Sequence, residues 1–283
     1  MIDEFSFINP TPEQKSIDIE NFLTPIDQID APSEKSMGDV LSFERSGDLS
    51  MSLASEKIDI SGELGNGGSK KVYDVTIRGH NFALALPNAI DDTKTAAAKW
   101  KDALGEPENT ERLRALGFIT NSLCGIIPLE VNGTSFPALI MRRYQDEEFE
   151  IRDSKNPTSS VGQTPIIPEG SQATEVPRLI ETLARDIANL IKENIRLKRD
   201  NFNICILNGE LRIYLNDLGV VDYEEIGSEE EEAFINSYTE HTVTAFINAL
   251  AEEEYQLHKQ YLDASTGEIR MHLANKVREQ LDT

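Results

Sequence analysis

The chain has 283 residues, room for one large domain or two small ones, and 39% of them are apolar, enough for a core. Its net charge of −23, from 27 Lys and Arg against 50 Asp and Glu, argues against nucleic acid and anionic membrane surfaces as partners. Cys124 and Cys205 sit in apolar runs with neither a disulfide framework nor a metal-ligand spacing around them, so a reducing compartment is expected. No apolar run reaches the roughly 18 residues of a membrane span. The start, Met1-Ile2-Asp3-Glu4, lacks the positive charge and apolar stretch of a secretory leader, so a soluble protein is expected.

Residues 1–55 are rich in Ser, Asp, Glu and Pro without a sustained period, and read as a disordered or loosely ordered tail. From Ile58 to Leu86 the pattern predicts three antiparallel strands, the second through Val72, Tyr73, Val75 and Ile77. Arg78-Gly79-His80-Asn81 turns into the third, Phe82-Ala83-Leu84-Ala85-Leu86, which Pro87 and Asn88 end. Residues 93–104 predict a helix with Ala96, Ala97, Trp100 and Leu104 on one face. Gly105-Glu106-Pro107 breaks it, and a second helix runs from about Glu108 to Leu116 and stops at Gly117. Cys124–Val131 and Phe136–Met141 flank an Asn132-Gly133 turn, a hairpin signal.

Residues 153–177 are a polar Pro, Ser, Thr and Gly stretch, a loop insertion. An amphipathic helix follows at about 175–193, with Leu179, Ile180, Leu183, Ile187, Leu190 and Ile191 on one face. Ile204–Leu207 and Leu211–Leu215 form a small hairpin around Asn208-Gly209, and the remainder is helical. The arrangement is α+β in two lobes, a strand-rich one over 56–145 and a short helical one over 146–283.

Three segments carry chemistry. Between two predicted strands lies Gly62-Glu63-Leu64-Gly65-Asn66-Gly67-Gly68-Ser69-Lys70-Lys71-Val72-Tyr73, where glycine permits close backbone approach to phosphates and positive φ. A strand on either side separates it from loops that open a helix. Near the other end, Leu211-Arg212-Ile213-Tyr214-Leu215-Asn216-Asp217-Leu218-Gly219 is a strand running into an acidic turn. Before it stands Asn194-Ile195-Arg196-Leu197-Lys198-Arg199-Asp200-Asn201-Phe202-Asn203-Ile204, a polar loop entering a strand.

Together these segments resemble the protein-kinase superfamily over residues 58 to about 225. Gly65, Gly67 and Val72 match the glycine-rich flap G-x-G-x-x-G-x-V, with Lys70 in place of its third glycine. The third strand reads Phe82-Ala83-Leu84-Ala85, with Ala83 at the small residue over adenine and Ala85 where kinases carry lysine. The two departures together resemble the with-no-lysine kinases, whose lysine sits in the flap. That likeness implies that Lys70, with Gly65, Asn66, Gly67, Gly68, Ser69, Val72 and Ala83, binds ATP. It also implies a glutamate partner for the lysine, with Glu111 and Glu108 as candidates and Glu106 a weaker one. Backbone groups of Met141 to Arg143 stand at the kinase hinge, where they would meet the adenine edge.

Asp217-Leu218-Gly219 resembles Asp-Phe-Gly, which implies that Asp217 binds magnesium or manganese. The polar loop matches His-Arg-Asp-Leu-x-x-x-Asn in either of two registers. One makes Asn201 the metal ligand with Arg196 at the catalytic aspartate, the other makes Asn203 the ligand with Lys198 there. Asp200 is the only nearby carboxylate and the candidate to orient the acceptor hydroxyl. Ile151-Arg152-Asp153-Ser154-Lys155-Asn156 looks similar but follows the hinge without a helix between, and reads as a surface loop.

The resemblance implies an atypical protein kinase that uses ATP and Mg2+ or Mn2+ on a Ser or Thr hydroxyl of a protein. A scaffolding pseudokinase and a nucleotidyl transferase are the other two readings. The short second lobe resembles small kinase-like effectors that bacterial pathogens deliver into host cells. This implies a bacterial cytoplasmic origin, secretion and a host protein as substrate.

Overall fold

The computed structural model describes residues 19–152, 176–208, 210–250 and 252–283. The chain divides into two compact units: Met1–Ala97 with Gly125–Ile140, and Ala98–Cys124 with Met141–Thr283. The division is thus not the single cut near residue 145 expected from the sequence. Residues 98–124 belong with the later part because Leu113 and Phe118 bury into the same apolar core as its helices.

The first unit opens with a helix where a tail was expected. Helix α1 (Glu34–Ser46) starts at Ser33, whose side chain accepts the Ser36 N–H, and ends at Gly47 with φ 76°. Met37, Val40 and Leu41 recur at helical spacing and are fully buried. Short strands β1 (Met51–Leu53) and β2 (Glu56–Lys57) follow, then β3 (Asp59–Asn66), β4 (Lys70–Ile77) and β5 (His80–Pro87).

After β5 come α2 (Thr93–Ala103), α3 (Glu106–Ala115), β6 (Ile119–Thr120), β7 (Cys124–Val131) and β8 (Thr134–Met141). Helix α3 thus includes Glu106 and Pro107, which the sequence suggested as the break; proline fits a first turn, where its missing N–H costs nothing. The large sheet has seven strands in the order β2-β1-β7-β8-β5-β4-β3. Strands β3, β4 and β5 are antiparallel neighbours, as their alternation indicated. Arg78-Gly79 and Asn132-Gly133 take positive φ at both positions, the turn geometry that matches strand twist in two-residue hairpins.

The second unit holds β9 (Glu150–Arg152), α4 (Val176–Lys192), β10 (Phe202–Leu207), β11 (Glu210–Leu215), α5 (Ser228–Ala249) and α6 (Glu252–Leu281). Its four-stranded sheet runs β6-β11-β10-β9. Of the 151–156 segment read in the sequence as surface loop, Ile151 and Arg152 pair with β10, and Ile151 is buried. Nearly all of the expected 153–177 insertion lies outside the described residues.

One face of the β10–β11 hairpin, with Phe202, Ile204, Leu211, Ile213 and Leu215, packs into a core shared with α4, α5 and α6. Buried Asp186 on α4 locks this hairpin: it accepts from the Arg212 guanidinium at 2.8 Å and from the Ile213 N–H at 3.0 Å. No helix among the described residues is long and apolar enough to cross a membrane.

If α1 is part of the first unit's core, Leu41→Ala costs about 2–5 kcal/mol in a urea unfolding titration. A leucine in a tail would cost nothing measurable.

Candidate functional site

In the first unit, the glycine-rich segment is the β3–β4 hairpin. Gly65 and Asn66 end β3, while Gly67, Gly68 and Ser69 make the connection, closed by the Gly67 N–H donating to the Lys70 carbonyl at 2.9 Å. The sequence suggested positive φ here, but none of Gly65, Gly67 and Gly68 adopts it. A Cβ on Gly65 or Gly68 would meet nothing within 4 Å. What these glycines supply is open space beside bare backbone, the property that lets a phosphate approach.

Strand alternation sorts the neighbouring lysines. Residues paired across an antiparallel ladder share a face, and adjacent residues on one strand do not. Lys70 therefore shares a face with Val72 and with their partners Pro87 and Ala85, and Ala83, opposite Asp74, lies on that face too. Lys71 lies on the other face with Tyr73, Val75 and Ile77, the face of α1. Its amine meets Glu44 of α1 at 2.7 Å and Glu63 of β3 at 3.2 Å, and the Tyr73 hydroxyl donates to Glu44 at 3.3 Å. The Glu44 side chain is only 7% exposed. The hydrogen bond to Glu44 holds the Lys71 pKa well above the ordinary lysine value, and burial pushes Tyr73 up to about 12.

In the second unit, Asp217 follows β11 with φ 53°. A left-handed aspartate costs about 1–2 kcal/mol, so something must hold it. The holder is Asn201, 2% exposed, at the end of the single turn Arg199–Asn201. Its amide donates to the carbonyls of Asn216 at 3.0 Å and Asp217 at 2.8 Å, and its Oδ1 accepts the Lys198 N–H at 2.7 Å. The Asn216 N–H returns a bond to the Asn201 carbonyl at 3.1 Å. Each such bond contributes about 1 kcal/mol, enough to offset the strain. Asn201, the metal ligand of one register, thus braces the turn through its amide. Asn203, half-buried on β10 opposite Tyr214, is the asparagine of the other register.

Leu218 and Gly219 are fixed by the α2–α3 corner. Asn109 donates to the Leu218 carbonyl at 2.8 Å and accepts from the Tyr223 hydroxyl at 3.3 Å, while Arg112 lies 3.5 Å over the Tyr223 ring. A Cβ on Gly219 would stand 2.9 Å from the Asp102 carbonyl oxygen, so only glycine fits. Of the glutamates proposed as lysine partners, Glu111 and Glu108 are exposed on α3, and Glu106, the weaker candidate, is 4% exposed.

Asp200 is exposed on its turn. Arg196 is committed elsewhere: its guanidinium meets Glu230 at 2.9 Å and the Glu225 carbonyl at 2.8 Å, and lies over Phe234. The loop's backbone is held from α5 by Tyr238, which donates to the Ile195 carbonyl at 2.6 Å and accepts the Leu197 N–H at 2.8 Å.

At the hinge segment, the Arg142 N–H goes to the Leu123 carbonyl at 3.0 Å, and its carbonyl accepts the Asn121 amide at 2.9 Å. The Arg143 carbonyl accepts the Asp146 N–H at 3.0 Å. The Arg143 side chain pairs with Asp146 at 2.7 Å.

Glu44, Asn109, Asn201 as a brace and Tyr238 were not singled out in the sequence. Each works through a partner far along the chain, and no local pattern marks it. Among the described residues no group of three or more His, Cys, Asp or Glu could hold a metal.

No protein-family model matches the sequence, and no curated protein matches it. Among solved structures, the kinase domain of Mycobacterium tuberculosis PknI, in two double-mutant forms, is similar at 14% identity over 79% of this chain and 95% of that one, with TM-scores of 0.38 and 0.37. A likeness of that depth transfers no activity.

Two outcomes follow from the geometry. Gly219→Ala forces backbone apart and costs about 1–3 kcal/mol in thermal or urea unfolding. A raised lysine pKa gives stability that is complete below the unfolded value of about 10.4 and is lost as pH rises through the folded one. The stability difference between wild type and Lys71→Met is therefore constant from neutral pH to about 10 and shrinks above it.

Proposed function

We propose that this chain is an ATP- and magnesium-dependent protein kinase that transfers a phosphoryl group to a Ser or Thr hydroxyl of a protein. The observation that carries the reading is Asp217, held in a left-handed conformation by the Asn201 brace and followed by a glycine that the α2–α3 corner requires. Strain maintained at an acidic turn by buried hydrogen bonds is what a metal-positioning carboxylate needs. Lys70 supports it from the first unit, on the sheet face of Val72, Ala83 and Ala85 beside the open glycine backbone.

The donor set fits the ion. Asp217, with Asn201 or Asn203, offers hard oxygens, and magnesium characteristically takes one or two protein oxygens and completes its shell with phosphate and water. Bound Mg-ATP supplies the phosphoryl group and the charge that activates it. Lys70 neutralises phosphate oxygens, with the flap residues Gly65 to Ser69 giving backbone room. Val72 and Ala83 give the base an apolar face, and the resemblance assigns its edge to backbone groups of Met141 to Arg143. Asp200 orients the acceptor hydroxyl. Catalysis is then mostly positioning and electrostatics. The resemblance to small kinase-like effectors extends the proposal to a bacterial effector acting on a host protein.

One observation favours a second reading, a nucleotide-binding scaffold without transfer. Arg196 and Lys198 occupy the two places where a catalytic aspartate would stand, and Arg196 is bound into the base of α5.

Incubation with γ-labelled ATP, magnesium or manganese and a generic protein acceptor decides between them. Lys70→Ala and Asp217→Ala each lower labelling about 100-fold or more, and Asp200→Ala lowers it with ATP binding kept. Labelling that survives Asp217→Ala overturns the assignment. Labelling from α-labelled ATP identifies nucleotidyl transfer, and ATP binding without any label identifies the scaffold.

A further inference from the structure

The segment before the sheet is tied to the glycine-rich loop by two routes. On the first, Glu44 in the last turn of α1 holds the Lys71 amine at 2.7 Å, and that amine also reaches Glu63 of β3 at 3.2 Å. Both strands of the hairpin are thereby fastened to α1 on the face opposite Lys70. On the second, the next residue, Arg45, donates to the Ala89 carbonyl at 2.8 Å and to the Asp91 carbonyl at 2.5 Å. Those bonds pin the chain leaving β5, where Asn88 stands.

Asn88 is 3% exposed, and it holds the loop from beneath. Its Nδ2 donates to Asn66 Oδ1 and to the Gly67 carbonyl, both at 2.5 Å, and its N–H donates to the Ser69 carbonyl at 3.2 Å. Its Oδ1 accepts the Ile90 N–H at 3.2 Å, which fixes the orientation of the carboxamide. Three of the loop's residues are thus gripped by one buried side chain and its backbone.

We infer that α1 is a positioning element for the glycine-rich loop, and that Glu44, Arg45 and Asn88 are its positioning residues. A glycine-rich connection left to itself samples many conformations, and ordering it on ligand binding costs affinity. Here the ordering is done in advance. Glu44 and Lys71 set the height of the hairpin, and Arg45 and Asn88 set the path of residues 66–69. Because β4 is held on its α1 face, its other face presents Lys70 in a fixed direction. The consequence for ligand binding rests on the proposed nucleotide reading; the mechanical claim does not. Anything that peels α1 away, a truncation or a competing partner, loosens the loop without touching a residue of the site.

Hydrogen exchange of the backbone amides at 66–70, measured in the full chain without ligand, tests the mechanical claim. Arg45→Met, an exposed change that leaves the core intact, and Glu44→Gln each speed exchange there about tenfold while β7 stays protected. Asn88→Ala does so more strongly, and the double exchange Glu44→Lys with Lys71→Glu restores part of the protection. Unchanged exchange at 66–70 in folded Arg45→Met and Glu44→Gln overturns the inference. In the same variants the KM for ATP rises with kcat little changed. If exchange responds as stated but the wild type binds no nucleotide, the positioning role stands and the proposed function falls.

Discussion

Adjacent residues of a β-strand cannot face the same way, and on β4 that constraint separates Lys70 from Lys71. The separation is held by a partly buried ion pair: Lys71 is fixed to Glu44 on one side of the sheet, so Lys70 is directed to the other. Such a pair contributes on the order of 1 kcal/mol after desolvation. Its larger effect is on register. A slip of one residue would exchange the two lysines, break the pair and move Val75 and Ile77 out of the apolar face they bury.

The second unit fixes its own acidic turn by a comparable economy of means. One buried asparagine closes a loop onto a strand end, and one glycine lets a helix corner approach. Both act on the main chain of the turn. The same logic appears at Tyr238, whose hydroxyl serves two backbone groups of the preceding loop. The loop is thus supported through its main chain.

Much of the fold was legible because it rests on local rules. The Asn132-Gly133 and Asn208-Gly209 signals marked hairpins, the alternation over Val72–Ile77 marked a strand, and the spacing of Leu183, Ile187, Leu190 and Ile191 marked α4. Helix α1 was missed because its few apolar residues lie among Ser, Asp and Glu, and the sheet rather than propensity stabilises it. Strand β9 is three residues long and is decided by its partner β10. The glycine-rich hairpin and the Asp-Leu-Gly turn could be picked out by pattern. Which lysine faces which way required the register, and the part played by Asn201 required a contact across fifteen positions of chain to Asn216.

The central claim is that Lys70, and not its neighbour, meets the nucleotide. Amine acylation mapped by mass spectrometry, with and without Mg-ATP, tests it directly. The account predicts that Mg-ATP suppresses modification of Lys70, while Lys71, held protonated by Glu44, reacts poorly in both conditions. Protection of Lys71 alone, or reaction of Lys70 that Mg-ATP leaves unchanged, would contradict it.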